Sequence, residues 1–223
     1  MPARMIVLAS GEIYHVFNRG VMRLDIFYNA FDYKRFLELI DYYRFANTSV
    51  SFSKFRTLPL DQRYTLLKGL RKENILHVDI YAFCLMPNHF HFVLKQISTN
   101  GLTVFIGNVL NAYARYLNLK YKRVGPLCQS RFKAVLIESD EQFIHTCRYV
   151  HLNPSTGFLV STPQLYTYKW SSYPQYVGKS IDNSFLNTKE LRSFFTNGNS
   201  IQTFTEDNAD FQKSLAYIKH LQK

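Results

Sequence analysis

The sequence predicts an α+β fold in which an antiparallel sheet carries its helices on one face. Two patterns support this class: short segments whose apolar residues alternate, as in strands, and longer segments whose apolar residues recur at helical spacing. The segments follow the order strand, helix, strand, strand, helix, strand, helix. This is the split βαβ order of ferredoxin-like and RRM-like domains, whose sheet leaves its other face free for a ligand.

The first half of the chain begins with a strand from Glu12 to Asn18, which the turn sequence NRG closes. A helix from Phe31 to Phe45 follows, and Asn29 or Asp32 could cap its start. We expect a polar, basic connection over residues 49–58 and a short helical stretch over residues 59–70, since Pro is tolerated in a first turn.

A pair of antiparallel strands is predicted around the sequence MPNHFHFVL. The strand from Ile75 to Met86 alternates cleanly and so predicts two faces. One face would carry Leu76, Val78, Ile80, Ala82, Cys84 and Met86, and the other His77, Asp79, Tyr81 and Phe83. Pro87-Asn88 breaks this strand. After the break, the residues pointing one way are Phe90, Phe92 and Leu94, and those pointing the other way are His89, His91 and Val93.

The second half contains a long amphipathic helix from about residue 102 that should end before Gly125-Pro126. A strand from Phe132 to Ile137 comes next. The sequence SDEQ has the spacing of a capping box, so a third helix should run from about Asp140 until Pro154 ends it.

The chain is long enough for one well-packed domain and an appendage. We expect the domain to span residues 8–157 and the appendage residues 158–223. The appendage is rich in Tyr, Ser and Asn, and its role is open. A helix within it is suggested only by Phe204, Phe211, Leu215 and Ile218.

Charge and composition favour a nucleic-acid partner. Lys and Arg outnumber Asp and Glu by 27 to 16, as expected of a protein that binds the phosphate backbone. No apolar run approaches the roughly 18 residues that span a bilayer, and the N-terminus lacks the features of a signal peptide, so we expect no membrane association and a cytoplasmic location. The three cysteines lack metal or disulfide spacing and are interpreted as reduced core thiols.

Two groups of residues could carry chemistry. His89 and His91 share one face of a strand and could present two imidazoles to one metal ion, although this pattern alone also fits two surface histidines. In the third helix, His145, Tyr149 and Asn153 have i, i+4, i+8 spacing and form a polar stripe that the core does not need. A tyrosine aimed at a metal site could attack phosphorus and conserve the energy of a broken DNA strand as a covalent phosphotyrosine.

Several blocks of the sequence occur in the order found in a known family. MPNHFHFVL is followed about 60 positions later by RYVHLNP, with YHVFNRG before them and GPLCQSRFKAVLIES and WSSY in the second half. This arrangement, covering about Ile13 to Tyr173, resembles the single-tyrosine HUH transposases, especially the REP-associated tyrosine transposases. The resemblance makes residues 8–157 the HUH transposase domain.

The resemblance implies specific roles for four residues. His89 and His91 would be the metal-binding histidines of the HUH motif, and Tyr149 the nucleophile. Asn153 falls where related transposases place a polar third ligand, often Gln. The implied metal is Mg²⁺ or Mn²⁺, of which two imidazoles favour Mn²⁺. The implied activity is cleavage and rejoining of single-stranded or hairpin DNA through a 5′-phosphotyrosine.

Other residues remain open as contributors. A basic set interleaved with tyrosines suits a groove that neutralises phosphates and stacks bases, although it could also be a solvated helix face. Its members are Arg115, Lys120, Lys122, Arg123, Arg131 and Lys133, with Arg19 and Arg23 as a second, smaller group. Tyr113 and Tyr116 are rival nucleophiles, and His145 and His151 flank Tyr149.

Two other classes of function stay compatible with the sequence. One is a hairpin-binding protein without catalysis, and the other is a metal-dependent hydrolase that activates water. The oligomeric state is either monomer or homodimer.

Overall fold

The computed structural model describes residues 7–129, 131–179 and 183–214. Its centre is a four-stranded antiparallel sheet with the strand order β2-β3-β1-β4. The strands are β1 (Ile13–Arg19), β2 (Val78–Met86), β3 (His89–Gln96) and β4 (Lys133–Ile137). The predicted α+β class and the antiparallel β2–β3 pair are confirmed.

Helices connect and surround the sheet. They are α1 (Ala30–Tyr43), α2 (Phe52–Thr57), α3 (Leu60–Glu73), α4 (Gly101–Tyr121), α5 (Asp140–Thr156), α6 (Tyr173–Tyr176), α7 (Lys189–Ser193) and α8 (Gly198–Glu206). None of the helices in the described part of the chain is long and apolar enough to cross a bilayer. The cysteines are free thiols, as predicted, with Cys84 and Cys147 buried and Cys128 half-buried.

Three local predictions need correction. The expected connection at residues 49–58 contains α2, because Ser51 caps a turn whose two phenylalanines are buried. The first helix, predicted over Phe31 to Phe45, spans Ala30–Tyr43 with Asn29 as its cap, and Phe31 is 73% exposed. Helix α5 continues through Pro154 to Thr156, since a proline in the last turn removes only one backbone hydrogen bond near the helix end.

The two faces of β2 differ from the prediction after Ile80. The register of β2 against β3 shifts between Ile80 and Ala82, and Tyr81 has no partner on β3. Residues directly opposite in an antiparallel pair share a face, and an extra residue in one strand exchanges the faces that follow it. Cys84 therefore lies opposite His91, on the histidine face, whereas Ile80 lies opposite Leu94 on the other face. A single continuous apolar face along β2 was the wrong prediction.

Helices pack on both faces of the sheet. On the face that carries Phe90 and Phe92, Phe36 of α1 contacts both rings as well as Tyr113 of α4. Helix α5 lies on the opposite face across β2 and β3, where Tyr149 meets His91. The expectation of helices on one face thus holds for α1 and α4 and not for α5, because α5 has its own apolar stripe to bury.

Residues after Gly157 cover the outer edge of β2. The Leu85 amide donates to the Trp170 carbonyl at 2.9 Å, and the Asn187 amide donates to the Ile80 carbonyl at 2.8 Å. The hydroxyl of the buried Tyr176 donates to the Tyr81 carbonyl at 2.6 Å. These bonds satisfy backbone groups that an edge strand would otherwise expose.

The predicted C-terminal helix is found in part. Phe204 lies in α8, and Phe211 lies in a helical stretch over residues 209–214. Leu215 and Ile218, which also supported the prediction, lie outside the described residues.

A buried carboxylate joins the start of α1 to the end of α4. Asp32 is fully buried and accepts hydrogen bonds from Lys120 Nζ at 2.6 Å, the Tyr121 hydroxyl at 2.8 Å and the Tyr116 hydroxyl at 3.0 Å. Burial alone would raise the pKa of Asp32, but these hydrogen bonds outweigh burial and hold the pKa below its ordinary value. The carboxylate is therefore charged in the folded protein and fully paired.

Replacing the buried carboxylate should destabilise the fold in a pH-dependent way. We expect Asp32→Asn to lower the free energy of unfolding by about 1.5–3 kcal/mol, the usual contribution of hydrogen bonds to a charged group. Because the folded pKa is depressed, this contribution is fully present above the ordinary pKa of 3.8 and is lost as the pH falls through the lower folded value. Urea unfolding at pH 7 and pH 3 measures it, with the exposed Asp25→Asn as the control. If Asp32→Asn is destabilised relative to Asp25→Asn by as much at pH 3 as at pH 7, the assignment of Asp32 as a paired, charged carboxylate is contradicted.

The segment along β2 should likewise contribute to stability. We expect Tyr176→Ala to reduce the free energy of unfolding by about 3–5 kcal/mol, as for other fully buried aromatic residues. The control is Tyr166→Ala, because this tyrosine is 37% exposed. Similar urea midpoints for the two variants would show that the contacts of Tyr176 along β2 contribute little to stability.

Candidate active site

The paired strands β1 and β3 bring three imidazoles together. His89 and His91 lie on the same face of β3, as predicted, with ring centroids 5.1 Å apart and nearly perpendicular planes. His15 reaches them from β1, where its Nε2 lies 2.9 Å from His91 Nδ1. His15 was not predicted as a site residue, although it stands in the YHVFNRG block, because only the pairing of the strands shows that it meets His91.

The nitrogen atoms of His89 have distinct environments. Its Nδ1 lies 2.6 Å from Asn88 Oδ1. An amide oxygen can only accept, so Nδ1 carries the hydrogen and Nε2 keeps a free lone pair. The turn that separates β2 from β3 therefore also orients the first histidine of the pair.

Helix α5 places Tyr149 over the histidines. The phenol ring meets His91 edge to face at a centroid distance of 5.5 Å and His15 at 5.7 Å. Tyr149 is 41% exposed, so a macromolecular substrate can reach it. Burial of part of the side chain raises the pKa of Tyr149, and the positive charge of Arg19 acts against this rise.

Asn153 lies one helical turn after Tyr149 and is buried beside it. Its Nδ2 donates to the Tyr149 carbonyl at 2.8 Å, which leaves the amide oxygen available to another partner. Asn153 also interacts with His89, where its hydrogen bonding raises the pKa of the imidazole against the larger effect of burial. The structure thus brings Tyr149 and Asn153 to the histidine pair.

The other histidines of α5 lie elsewhere. His145 packs against Phe204 of α8 at 5.6 Å, and its Nδ1 lies 2.6 Å from an Arg148 nitrogen. His151 is buried and pairs through Nε2 with the Ser172 hydroxyl at 2.9 Å. The predicted polar stripe therefore contributes Tyr149 and Asn153 to the site but not His145.

Burial keeps the imidazoles of the site uncharged at neutral pH. It lowers the pKa of His15 and of His89 to about 4 and lowers the pKa of His91 well below its ordinary value. Nearby positive charge from Arg19 lowers the pKa of His89 and His91 further. A neutral imidazole has the free lone pair that a metal ligand needs.

The donor set at this position fits a divalent cation with open coordination positions. It comprises the two imidazoles of His89 and His91 and the amide oxygen of Asn153. Across the described ranges, no group of three or more His, Cys, Asp or Glu side chains is arranged to hold a metal ion. Any ion here would therefore depend on the amide and on substrate or water for its remaining ligands.

The predicted basic residues divide into two groups. Arg19 lies opposite His89 on β1, Arg23 follows in an exposed turn, and Lys133 is exposed on β4 opposite Phe17. Arg131 lies two residues before this strand. The other group lies on or just after α4, the helix packed on the face away from the histidines.

Within the α4 group, the side chains differ in how free they are to bind phosphate. Arg115 and Lys122 are exposed. Lys120 Nζ donates to the Asp32 carboxylate, and Arg123 Nη1 donates to the Tyr28 hydroxyl at 3.3 Å. Among the predicted basic residues, Arg19 has a charge that acts on His89, His91 and Tyr149.

The two rival tyrosines are held away from the histidines. Tyr113 is completely buried, and its hydroxyl donates to the Ile26 carbonyl at 2.6 Å. The hydroxyl of Tyr116 donates to Asp32. Both residues belong to α4, so neither phenol faces the site that Tyr149 overlies.

Comparison with known proteins identifies a matching family and a solved structure of similar fold. The family described as "Transposase IS200 like" matches residues 62–153, a range that includes both histidines, Tyr149 and Asn153. A solved structure of a REP-associated tyrosine transposase bound to a REP hairpin is similar in fold, with a TM-score of 0.52 and 13% sequence identity. The alignment covers 84% of this chain and 92% of that one. No curated protein matches the chain. The resemblance in the sequence motifs is confirmed by the match of residues 62–153 to the IS200-like transposase family.

Proposed function

We propose that this transposase cleaves and rejoins single-stranded DNA at hairpin-associated sites, with Tyr149 as the nucleophile. The observation that carries the proposal is the position of the partly exposed Tyr149 phenol, 5.5 Å from the His91 ring and within the influence of Arg19. A hairpin substrate is supported by the solved structure of similar fold, which holds a REP hairpin.

In the proposed reaction, the Tyr149 oxygen attacks the phosphorus of the scissile phosphodiester. A bond from the phenol oxygen to phosphorus forms as the bond to the 3′-oxygen breaks, so the phenol loses its proton and the 3′-oxygen gains one. The product is a 5′-phosphotyrosine and a free 3′-hydroxyl. Attack by a 3′-hydroxyl on the phosphotyrosine reverses these changes and rejoins DNA without ATP.

His89, His91 and Asn153 would hold the divalent cation of this site. When bound, Mg²⁺ or Mn²⁺ would polarise the phosphate and offset its developing charge. Two neutral imidazoles favour Mn²⁺, whereas Mg²⁺ prefers oxygen ligands. The low pKa values of His89 and His91 support this role, because protons do not compete for the imidazole nitrogens at neutral pH.

Arg19 would act on the reacting groups directly. Its charge already favours the ionised phenol of Tyr149 over the protonated form, in opposition to burial. The same guanidinium would pair with a nonbridging phosphate oxygen of the bound DNA. Outside the site, the DNA backbone would be bound by other basic side chains, which within the α4 group are those that bond to neither Asp32 nor Tyr28. These are Arg23, Arg131, Lys133, Arg115 and Lys122.

The nucleophile is tested with end-labelled hairpin DNA and Mn²⁺ or Mg²⁺, by measuring the covalent adduct on denaturing gels. We expect Tyr149→Phe to lower adduct formation by at least about 10³-fold, because no other group supplies the attacking oxygen. His89→Ala should lose the adduct as well. Tyr166→Phe, which removes the hydroxyl of an exposed tyrosine, is the matched control.

Each other outcome of that experiment identifies a different function. Cleavage that survives in Tyr149→Phe without an adduct would indicate activated water and a hydrolase. Hairpin binding that needs no metal, without cleavage by the wild-type protein under either ion, would indicate a binding protein.

Arg19 is tested separately from DNA affinity. We expect Arg19→Gln to slow adduct formation at saturating DNA by about 10²-fold, the usual effect of removing one preorganised group that stabilises transition-state charge. Lys72→Gln removes the same charge from an exposed position on α3 and serves as the control. Equal rates for both variants at saturating DNA would restrict Arg19 to backbone binding.

A further inference from the structure

His15 contacts both a proposed metal ligand, His91, and the proposed nucleophile, Tyr149. The proposed reaction gives His15 itself no role. It lies outside the residues matched by the family, which begin at residue 62. Its ring lies edge to edge with that of His91, at a centroid distance of 5.1 Å and an interplanar angle of 18°, as two hydrogen-bonded imidazoles do. On the other side it meets Phe17 at 4.9 Å and Tyr149 at 5.7 Å. Neighbouring rings therefore restrict the orientation of His15.

The hydrogen bond between the two imidazoles couples their tautomers. A neutral imidazole carries one N–H, so of the His15 Nε2 and His91 Nδ1 atoms, which are 2.9 Å apart, one donates and the other accepts. If His91 Nδ1 donates, then His91 Nε2 has a free lone pair. If His15 Nε2 donates instead, neutral His91 must carry its hydrogen on Nε2 and cannot ligate a metal through that atom.

We propose that His15 is a positioning residue that accepts the Nδ1 hydrogen of His91 and so keeps His91 Nε2 free to bind the divalent cation. This inference rests on the proposed metal site. The neighbouring histidine supports it, because Asn88 Oδ1 accepts from His89 Nδ1 and leaves its Nε2 free in the same way. Each imidazole of the pair then has its own acceptor, an arrangement typical of metal-binding histidines.

The position of His15 suits this role. It lies on the central strand β1, opposite Val93, on the face that carries the histidine pair. A side chain on a central strand is held more firmly than one on a loop, so the acceptor is fixed relative to His91. The same location explains why His15 also packs on Tyr149: the residue that orients a metal ligand also supports the nucleophile.

The test measures Mn²⁺ binding to the full chain without DNA, by calorimetry and by the loss of the electron paramagnetic resonance signal of free Mn²⁺. We expect His15→Phe, which keeps a ring but has no acceptor, to weaken Mn²⁺ binding by about 10–100-fold. His15→Gln offers an amide oxygen as acceptor and should restore most of the affinity. Thermal unfolding of both metal-free variants confirms that the fold is intact.

The controls separate this inference from the proposed function. Wild-type protein that does not bind Mn²⁺, or that binds it no better than His89→Ala, would overturn the metal site itself. If wild-type binding depends on His89 but His15→Phe binds equally tightly, the role of His15 alone is overturned. Equal losses in His15→Phe and His15→Gln, with both folded, would also overturn it, because the acceptor would then not be what matters.

A second measurement applies even if the variants do not fold. Long-range ¹H–¹⁵N correlation spectra of the metal-free wild-type protein report which nitrogen of each imidazole carries the hydrogen. We expect His91 to carry it on Nδ1 and His15 to have an unprotonated Nε2. A hydrogen on His91 Nε2 would overturn the proposal.

Discussion

The register of β1 against β3 is the constraint on which the candidate site depends. It places Arg19 opposite His89 and Phe17 opposite His91, with His15 on the same face opposite Val93. A slip of one residue would turn the β1 side chains to the other face of the sheet. The histidine pair would then lose both the charge of Arg19 and the imidazole of His15. The apolar residues of the other face, among them Tyr14 and Val16, are completely buried and hold the strand in register.

Burial and charge then determine the chemical state of the site. Burial keeps His15, His89 and His91 neutral, while the same effect raises the pKa of the Tyr149 phenol. Neutral imidazoles suit a metal site, but a protonated phenol is a weak nucleophile. Arg19 reduces this conflict, because its positive charge disfavours protonated imidazoles and favours the ionised phenol at the same time.

Elements far apart in the chain hold α5 and the sheet in place. The hydroxyl of Ser172, which follows α5, forms a hydrogen bond with the His151 imidazole of α5. It also bonds to the backbone amide and carbonyl of Phe83 in β2. Asp32 joins α1 to the end of α4 on the other side of the sheet. The segment after Gly157 thus fixes α5, the helix that carries the proposed nucleophile, to β2. This segment therefore helps to stabilise the fold.

The sequence by itself determined the α+β class, the order of the main strands and helices, and the pairing of His89 with His91 on one face, because these follow from local periodicity. It also contained Tyr149 and Asn153 at helical spacing, so their shared position in the site followed once α5 packed over β3. Tertiary structure decided what depends on contacts between distant segments. The unpaired Tyr81 exchanges the faces of β2, α5 lies on the histidine face, and Lys120 binds Asp32, 88 residues away. The place of His15 in the site was also decided by tertiary structure. The alternation of a strand shows which of its residues share a face, but only its pairing with another strand shows which side chains lie beside them.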